Sequence, residues 1–512
     1  MRTVIVSGDA LTVEDVVDVA LGSARAELGP DVAARMQASL DVVTAAIRGT
    51  AAVYGVNTGF GALADTRVGE QDLTRLQRAI VLSHAAGTGE PLNDEAVRAI
   101  LLLRARTLAA GYSGVRPKLP SRLIELLNLG LLPVIPGKGS VGASGDLAQL
   151  AHLAQPLIGE GRLRRPGEDR RGRPAAEVLA EHGIEPLVLA AKEGLSLVNG
   201  TEPMQALLAF SVHDAELLVK AADVACALSV EALLCTDRPY DERVQVIRPH
   251  PGQLTSAANL RALLAGSQLM ASHRGSTHAV QDAYCLRCAP QVHGAVRDVL
   301  GYARGVLETE LGAVVDNPVI VPDGEVMTTG NFHGEPLAFA ADMLAIAISE
   351  LASISERRVD RMLDPAFSRG LPPFLAPDAG TNSGFMLAQY TAASLVSENK
   401  VLAHPASVDT IPTSGKQEDH VSMGWTAVRK LREVVANVRT CLAVEILCAT
   451  QGIGLRSGIA APSPAMTAVH DVVRAEVPAM DIDREVSAQI VAVERLIPDV
   501  CAAASASCGG LR

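Results

Sequence analysis

Apolar residues recur at three- and four-residue spacing along most of the 512-residue chain, the period of a helix with one face turned inward. Segments 68–110, 121–131, 143–158, 203–235, 256–272, 292–311, 335–364, 384–402 and 421–450 carry this pattern, and the longest are about twice an average globular helix. Thr12 followed by Asp15 forms a capping box ahead of the first helix, in "LTVEDVVDVA". Strand patterns are short: "TVIV" at 3–6, and "PVIVPDGEVM" at 318–327, which reads as a hairpin turning at Pro322-Asp323-Gly324. The charged, Gly- and Pro-rich stretch 159–174 reads as an exposed excursion with a small hairpin. The expected fold is mainly α, a long antiparallel helix bundle with a loop-rich N-terminal region, divided into 1–202 and 203–512. No period of 20 to 50 residues marks a repeat protein.

Composition narrows the function classes. Hydrophobic residues make up 48% of the chain and mean hydropathy is +0.23, yet Lys220, Asp223 and Glu231 interrupt the most apolar run, at 218–235. That is the pattern of a helix buried in a bundle, not of a membrane span. The start shows no apolar leader followed by a cleavage site, so a cytoplasmic location is expected. Eight irregularly spaced cysteines fit reduced thiols. A net charge of −12 and only 3% aromatics argue against a nucleic-acid partner.

One stretch, "PGKGSVGASGD" at 136–146, admits two chemistries. Gly137, Gly139 and Gly142 have the G-x-G-x-x-G spacing of a dinucleotide loop, with Glu160 at a plausible distance for the ribose. Two prolines interrupt the strand that should precede such a loop, the flanking chain shows no βαβ alternation, and no G-K-[ST] follows. The second chemistry lies in Ala143-Ser144-Gly145, where small neighbours leave a backbone amide free to fold back on a carbonyl.

Around that tripeptide, "GSVGASGDLAQLAHLA" resembles the active-site segment of the aromatic amino-acid ammonia-lyases. The resemblance continues in order through "VYGVNTGFGALAD" (53–65), "SHAAGTGEPL" (83–92), "KEGLSLVNGTE" (192–202), "QDAYCLRCAPQVHGA" (281–295), "DNPVI" (316–320), "GNFHGEP" (330–336) and "QEDHVSMGW" (417–425). "SH", "NFHG" and "QEDHVSM" are similar to the branch of the family that acts on histidine. Gln149 and Cys285 stand where the family pattern has Pro and Ser.

The resemblance implies that Ala143, Ser144 and Gly145 form 4-methylidene-imidazole-5-one (MIO), an internal electrophile with no external cofactor. Such a group answers a chemical need, because side chains offer many nucleophiles and almost no carbon electrophiles. Asn199, otherwise a turn residue in "LVNGT", would with nearby backbone amides stabilise the carbonyl oxygen of the group. Tyr54 would be the base that removes a β proton, although holding a tyrosine ionised at pH 7 costs roughly 4 kcal/mol without help. Gly55, Gly59 and Gly61 around it suggest a loop that closes over substrate.

Arg287, otherwise a surface charge, would pair with the substrate carboxylate through two parallel hydrogen bonds, with Tyr284 and Gln281 beside it. His84 and Glu418 would meet a polar ring, which favours L-histidine as substrate and urocanate with ammonia as products. Phe332 would shield the MIO. Cys285 and Cys288, with His273, His278 and His293 near them, allow a metal reading, but no second cysteine pair follows and none is expected. The family implies a homotetramer with Tyr54, Arg287 and Glu418 drawn from different subunits. Alternatives kept open are a phenylalanine or tyrosine lyase, an MIO aminomutase and a nucleotide-binding helical protein.

Overall fold

The computed structural model describes residues 1–59, 66–275 and 280–512; Gly61 and His278 lie outside the described residues. The chain groups into two compact units, neither of them continuous in sequence. The first comprises Met1–His213, Arg304–Asp342 and Pro405–Arg429, and the second comprises Asp214–Ala303, Met343–His404 and Lys430–Arg512. A division at 202/203 assumes that each unit is one stretch of chain. The first unit instead gathers three stretches through buried polar contacts, among them Lys192 with Asp316 and Val141 with Met423.

In the first unit, strands Arg2–Val6 and Ala24–Leu28 pair in parallel, joined by helix Val13–Leu21. The helix starts with the capping box expected from its sequence: Thr12 Oγ1 accepts from Asp15 N at 3.0 Å, and Asp15 Oδ2 accepts from Thr12 N at 3.1 Å. The long periodic stretch 68–110 is not one helix. It breaks into Leu73–His84 and Asp94–Ala109 around strand Thr88–Pro91, because Gly87 and Gly89 favour loop and Asn93 caps the second helix by accepting from Ala96 N at 3.1 Å. Helix Asp94–Ala109 is buried on nearly every side, and burying each of its leucines contributes roughly 1.5–3 kcal/mol. Strand Thr88–Pro91 pairs antiparallel with Pro136–Lys138 and so anchors the start of the glycine-rich loop. The expected hairpins form as Val319–Ile320 with Val326–Met327, and Arg162–Arg164 with Arg173–Pro174.

Four long helices carry the rest: Glu202–Ala232, Ala289–Glu310, Glu335–Leu363 and Gly424–Leu455. Two of them, Glu335–Leu363 and Gly424–Leu455, are long and apolar enough to cross a membrane, but 61% and 78% of their most apolar windows are buried, as in core helices. Helices Val32–Arg48, Pro464–Glu476 and Val486–Cys508 are the longest of those beyond the ones expected. All eight cysteines are free thiols.

Two of the charges that interrupt the apolar run 218–235, Asp223 and Glu231, accept hydrogen bonds inside the second unit. Glu231 accepts from Ser463 N at 2.9 Å, and burial pushes its carboxyl up to about 7. Asp223 accepts four hydrogen bonds: from Ser256 Oγ at 2.5 Å, Arg297 at 2.7 Å, His293 Nδ1 at 2.8 Å and Asn259 at 2.9 Å. Burial alone would raise this carboxyl, but Arg297, His293 and Ser256 outweigh it and hold it down to about 2. A carboxyl lowered on folding contributes stability above its unfolded pKa and loses it as pH falls through the folded value. The Asp223 contribution is therefore complete above about pH 5 and disappears between about pH 4 and 2. Asp223→Ala should lower unfolding stability by roughly 3–5 kcal/mol at pH 7, since it strands Arg297, and urea titration at pH 7 and pH 3 should show that loss shrinking at the lower pH.

Candidate active site

The loop 140–146 is bent into a left-handed turn by its own sequence and by what packs against it. Ser144 has φ +54° and Gly145 φ +78°, and a Cβ on Gly145 would collide with the Gly200 carbonyl, so only glycine fits there. The turn is stitched to two distant segments. Gly200 N donates to Ser144 O at 3.2 Å, Asp146 N donates to Gly200 O at 2.8 Å, and Met423 N donates to Val141 O at 3.0 Å. Trp425 Nε1 adds a bond to Gly137 O at 3.0 Å. Gln149, where the family pattern has Pro, is buried and donates to Pro136 O at 3.3 Å, while its side-chain oxygen has no partner among the described residues.

Asn199 completes the surroundings of the Ser144 carbonyl. One end of its carboxamide lies 2.7 Å from Asn317 N and the other 3.2 Å from Ser144 O. The first atom must be the oxygen, because two N–H donors at that distance repel, and the second is then an N–H donor. Ser144 O thus receives two hydrogen bonds, from Gly200 N and from Asn199.

A cavity of about 330 Å³ opens on this turn, lined by Tyr54, His84, Ser144, Asn199, Ser414 and Glu418, with Ala143 and Gly145 also in its wall. Its size suits a small ligand. His84 ends helix Leu73–His84, with Nδ1 3.0 Å from Ser83 Oγ. Burial lowers its pKa against the opposing pull of the Ile80 carbonyl and Glu418, so at pH 7 the ring is neutral and offers one donor and one acceptor. Glu418 Oε2 is buried with no hydrogen-bond partner among the described residues, an acceptor held ready for a ligand N–H.

Tyr54 and Glu418 line the same cavity of a single chain, which corrects the expectation that they come from different subunits. The cause is local: the bonds from Met423 and Trp425 to the loop fold segment 405–429 back onto the first unit. Gln281, Tyr284 and Arg287 belong to the second unit and do not line the cavity. Tyr284 is 71% exposed, and Arg287 lies over its ring at 4.4 Å. Phe332 is half-buried but is not in the cavity wall.

Other readings of the sequence lose their support here. The strand that carries Gly137, Pro136–Lys138, pairs antiparallel with Thr88–Pro91, so the parallel βαβ setting of a dinucleotide loop is not the one found here. Of the histidines near Cys285 and Cys288, His273 bonds Cys235 O at 2.8 Å and His293 bonds Asp223. A different group, His333, Glu335 and His420, brings ligand-type atoms within 4.8 Å of one another, but backbone groups of Glu335 and His420 already engage both ring nitrogens of His333.

Several buried groups around the turn were not singled out from sequence. Asp146 accepts from Ser140 Oγ at 2.7 Å and Met204 N at 3.0 Å, and burial pushes its carboxyl up to about 7, where it can hold a proton at neutral pH. Arg104 donates to Asn199 O at 2.7 Å and pairs with Glu202, both fully buried. Lys192 pairs with Asp316 at 2.9 Å, also fully buried. The signal was present in "KEGLSLVNGTE" and "DNPVI", where charge sits inside apolar runs.

Known proteins resemble this chain in sequence and in fold. A sequence model of the family described as aromatic amino acid lyase matches residues 11–475. Histidine ammonia-lyase of Anaeromyxobacter sp. (strain K) is 52% identical over 505 residues, covering 98% of this chain and 99% of that protein. Among solved structures, histidine ammonia-lyase from Trypanosoma cruzi is similar with a TM-score of 0.90 at 42% identity, over 99% of this chain and 95% of that one. Tyrosine aminomutase from Streptomyces globisporus gives a TM-score of 0.93 at 38% identity, with 100% of both chains covered. With a mainly helical fold built around the Ser144 turn and a family match spanning most of its length, this chain belongs to the aromatic amino acid lyase family.

Proposed function

We propose that the protein is a carbon–nitrogen lyase that eliminates ammonia from L-histidine to give trans-urocanate. The observation that carries the reading is the single cavity in which the Ser144 turn, Asn199, Tyr54, His84 and Glu418 meet. Identity of about half to histidine ammonia-lyases over nearly the whole chain supports the same substrate.

Residues 143–145 fit an internal MIO. The turn places small residues on both sides of Ser144, leaves no room for a Cβ at position 145, and faces the cavity. Forming it joins Gly145 N to the Ala143 carbonyl carbon and removes the Ser144 hydroxyl with its α proton, so two waters are lost. The finished group supplies an electrophile that turns the substrate amine into a better leaving group.

The chain's own residues do the rest. Asn199 and Gly200 N direct two N–H donors at Ser144 O, where negative charge develops. Tyr54 stands in the cavity wall as the base for the β proton. Neutral His84 and the free Glu418 oxygen hydrogen-bond an imidazole, whereas a phenyl ring would leave both unpaired at a cost of about 1–3 kcal/mol each. That difference separates histidine from phenylalanine or tyrosine. The tyrosine aminomutase shares the fold just as closely, so overall shape does not choose between lyase and mutase; the polar lining and the higher identity favour the lyase.

A homotetramer with shared sites fits residues that one chain leaves outward. Phe339, Met343 and Ile346 are exposed along one face of helix Glu335–Leu363, as are Leu387 and Tyr390 on Met386–Leu402. Arg287, Tyr284 and Gln281, and Phe332 from another part of the chain, would then complete a neighbour's cavity. A cytoplasmic location suits this use of a free amino acid.

Purified protein offered L-histidine, L-phenylalanine and L-tyrosine separately should generate ultraviolet absorbance from histidine alone; cinnamate or coumarate would overturn the substrate assignment. Ser144→Ala should stay folded, show no loss of water by intact mass and lose at least about 10³-fold in rate, roughly 4 kcal/mol of barrier. Glu418→Ala should lower kcat/KM for histidine by about 10- to 100-fold, one buried hydrogen bond, and leave any residual turnover of phenylalanine unchanged.

A further inference from the structure

Beneath the turn, Asn199 is exposed to two opposing demands. Its carboxamide end that faces Asn317 lies 2.7 Å from Asn317 N, which requires an oxygen there. The same end lies 3.4 Å from Asp316 Oδ1, and a bare carboxylate would instead draw the amide nitrogen toward itself. If the nitrogen won, the Asn199 oxygen would point at Ser144 O and the donor would be lost.

Lys192 removes the conflict. Its Nζ lies 2.9 Å from Asp316 Oδ2 and 2.8 Å from Ser196 Oγ, and Ser196 Oγ donates to the same Oδ2 at 2.9 Å. Asp316 Oδ1 is left to accept from Asn317 N at 2.8 Å, which fixes that N–H beside the Asn199 oxygen. Burial pushes the Asp316 carboxyl up, but Lys192 and Arg104 together hold it below its usual range, so it stays ionised and paired. None of this charge reaches solvent.

We propose that Lys192 and Asp316 are positioning residues: Asp316 fixes the Asn317 N–H, and Lys192 cancels the carboxylate charge, so that Asn199 keeps its N–H on the Ser144 carbonyl. The proposal rests on the role of Ser144 given above. The water loss of the parent chain tests that role, and the contrast between parent and variants tests this one. Lys192→Met leaves Asp316 charged and unpaired, and Asn199 should turn to satisfy it. Its kcat on histidine should fall about 10²- to 10³-fold, the cost of one lost carbonyl donor, with KM within about twofold. Intact mass should show a smaller fraction of chains that have lost two waters. In an Asn199→Ala background the same substitution should cost nothing further, because both act on one oxygen.

The double variant Lys192→Met/Asp316→Asn removes both charges and keeps an acceptor for Asn317 N, so it should recover kcat to within about tenfold of the parent. A folded Lys192→Met enzyme with parental kcat overturns the proposal, as does a full additional loss in the Asn199→Ala background. Should Lys192→Met not fold, the double variant decides: recovery supports the assignment, and a folded double variant as slow as Asn199→Ala overturns it. A parent chain that has lost no water overturns both readings.

Discussion

One backbone carbonyl, that of Ser144, is held in a left-handed turn against two N–H donors, and keeping it there requires buried charge. The donors come from residues 199 and 200, whose own backbone must be fixed from the side away from the cavity. Arg104 does this through the Asn199 carbonyl, Glu202 balances Arg104, and Lys192 with Asp316 settles the Asn199 side chain. Removing charges from water is costly, and apolar residues of the same volume would often be as stable or more so. Stability alone therefore does not account for these pairs, whereas the orientation of a single amide does.

The helical architecture was readable because period and capping agreed with it. Thr12 and Asp15 marked the first helix, and the apolar spacing through 203–235 and 335–364 lies within two or three residues of helices Glu202–Ala232 and Glu335–Leu363. Where periodicity ran through glycines it misled: 68–110 looked continuous, but Gly87, Gly89 and Asn93 divide it. Helix Val486–Cys508 contains Pro498, which in sequence reads as a breaker. The two discontinuous units were not readable at all, since they depend on which distant segments share buried hydrogen bonds.

The cavity was legible to a similar extent. Tyr54, His84, Ala143, Ser144, Gly145, Asn199 and Glu418 were all named from sequence, and all line it. The resemblance supplied those residues, but not their grouping within one chain, which the bonds of Met423 and Trp425 to the glycine-rich loop impose. Arg104, Asp146, Lys192 and Asp316 escaped notice because a charge inside an apolar run reads first as a helix surface or a turn. Only the partner across 58 to 124 residues of chain shows otherwise.

Fold and specificity are carried by different parts of this molecule. A tyrosine aminomutase and a histidine ammonia-lyase superpose on it about equally well, so the helices fix the place of the turn without choosing what is bound. In the proposed reaction the choice falls to two polar groups in the cavity wall, His84 and Glu418. His84 is kept neutral by burial although Glu418 pulls the other way, and Glu418 keeps an oxygen without a partner. An unpaired buried acceptor is a standing cost, of order 1–3 kcal/mol. Under the proposed function a ligand that brings a ring N–H would recover that energy and an apolar ring would not, so the same strain that the free protein bears would become discrimination between substrates.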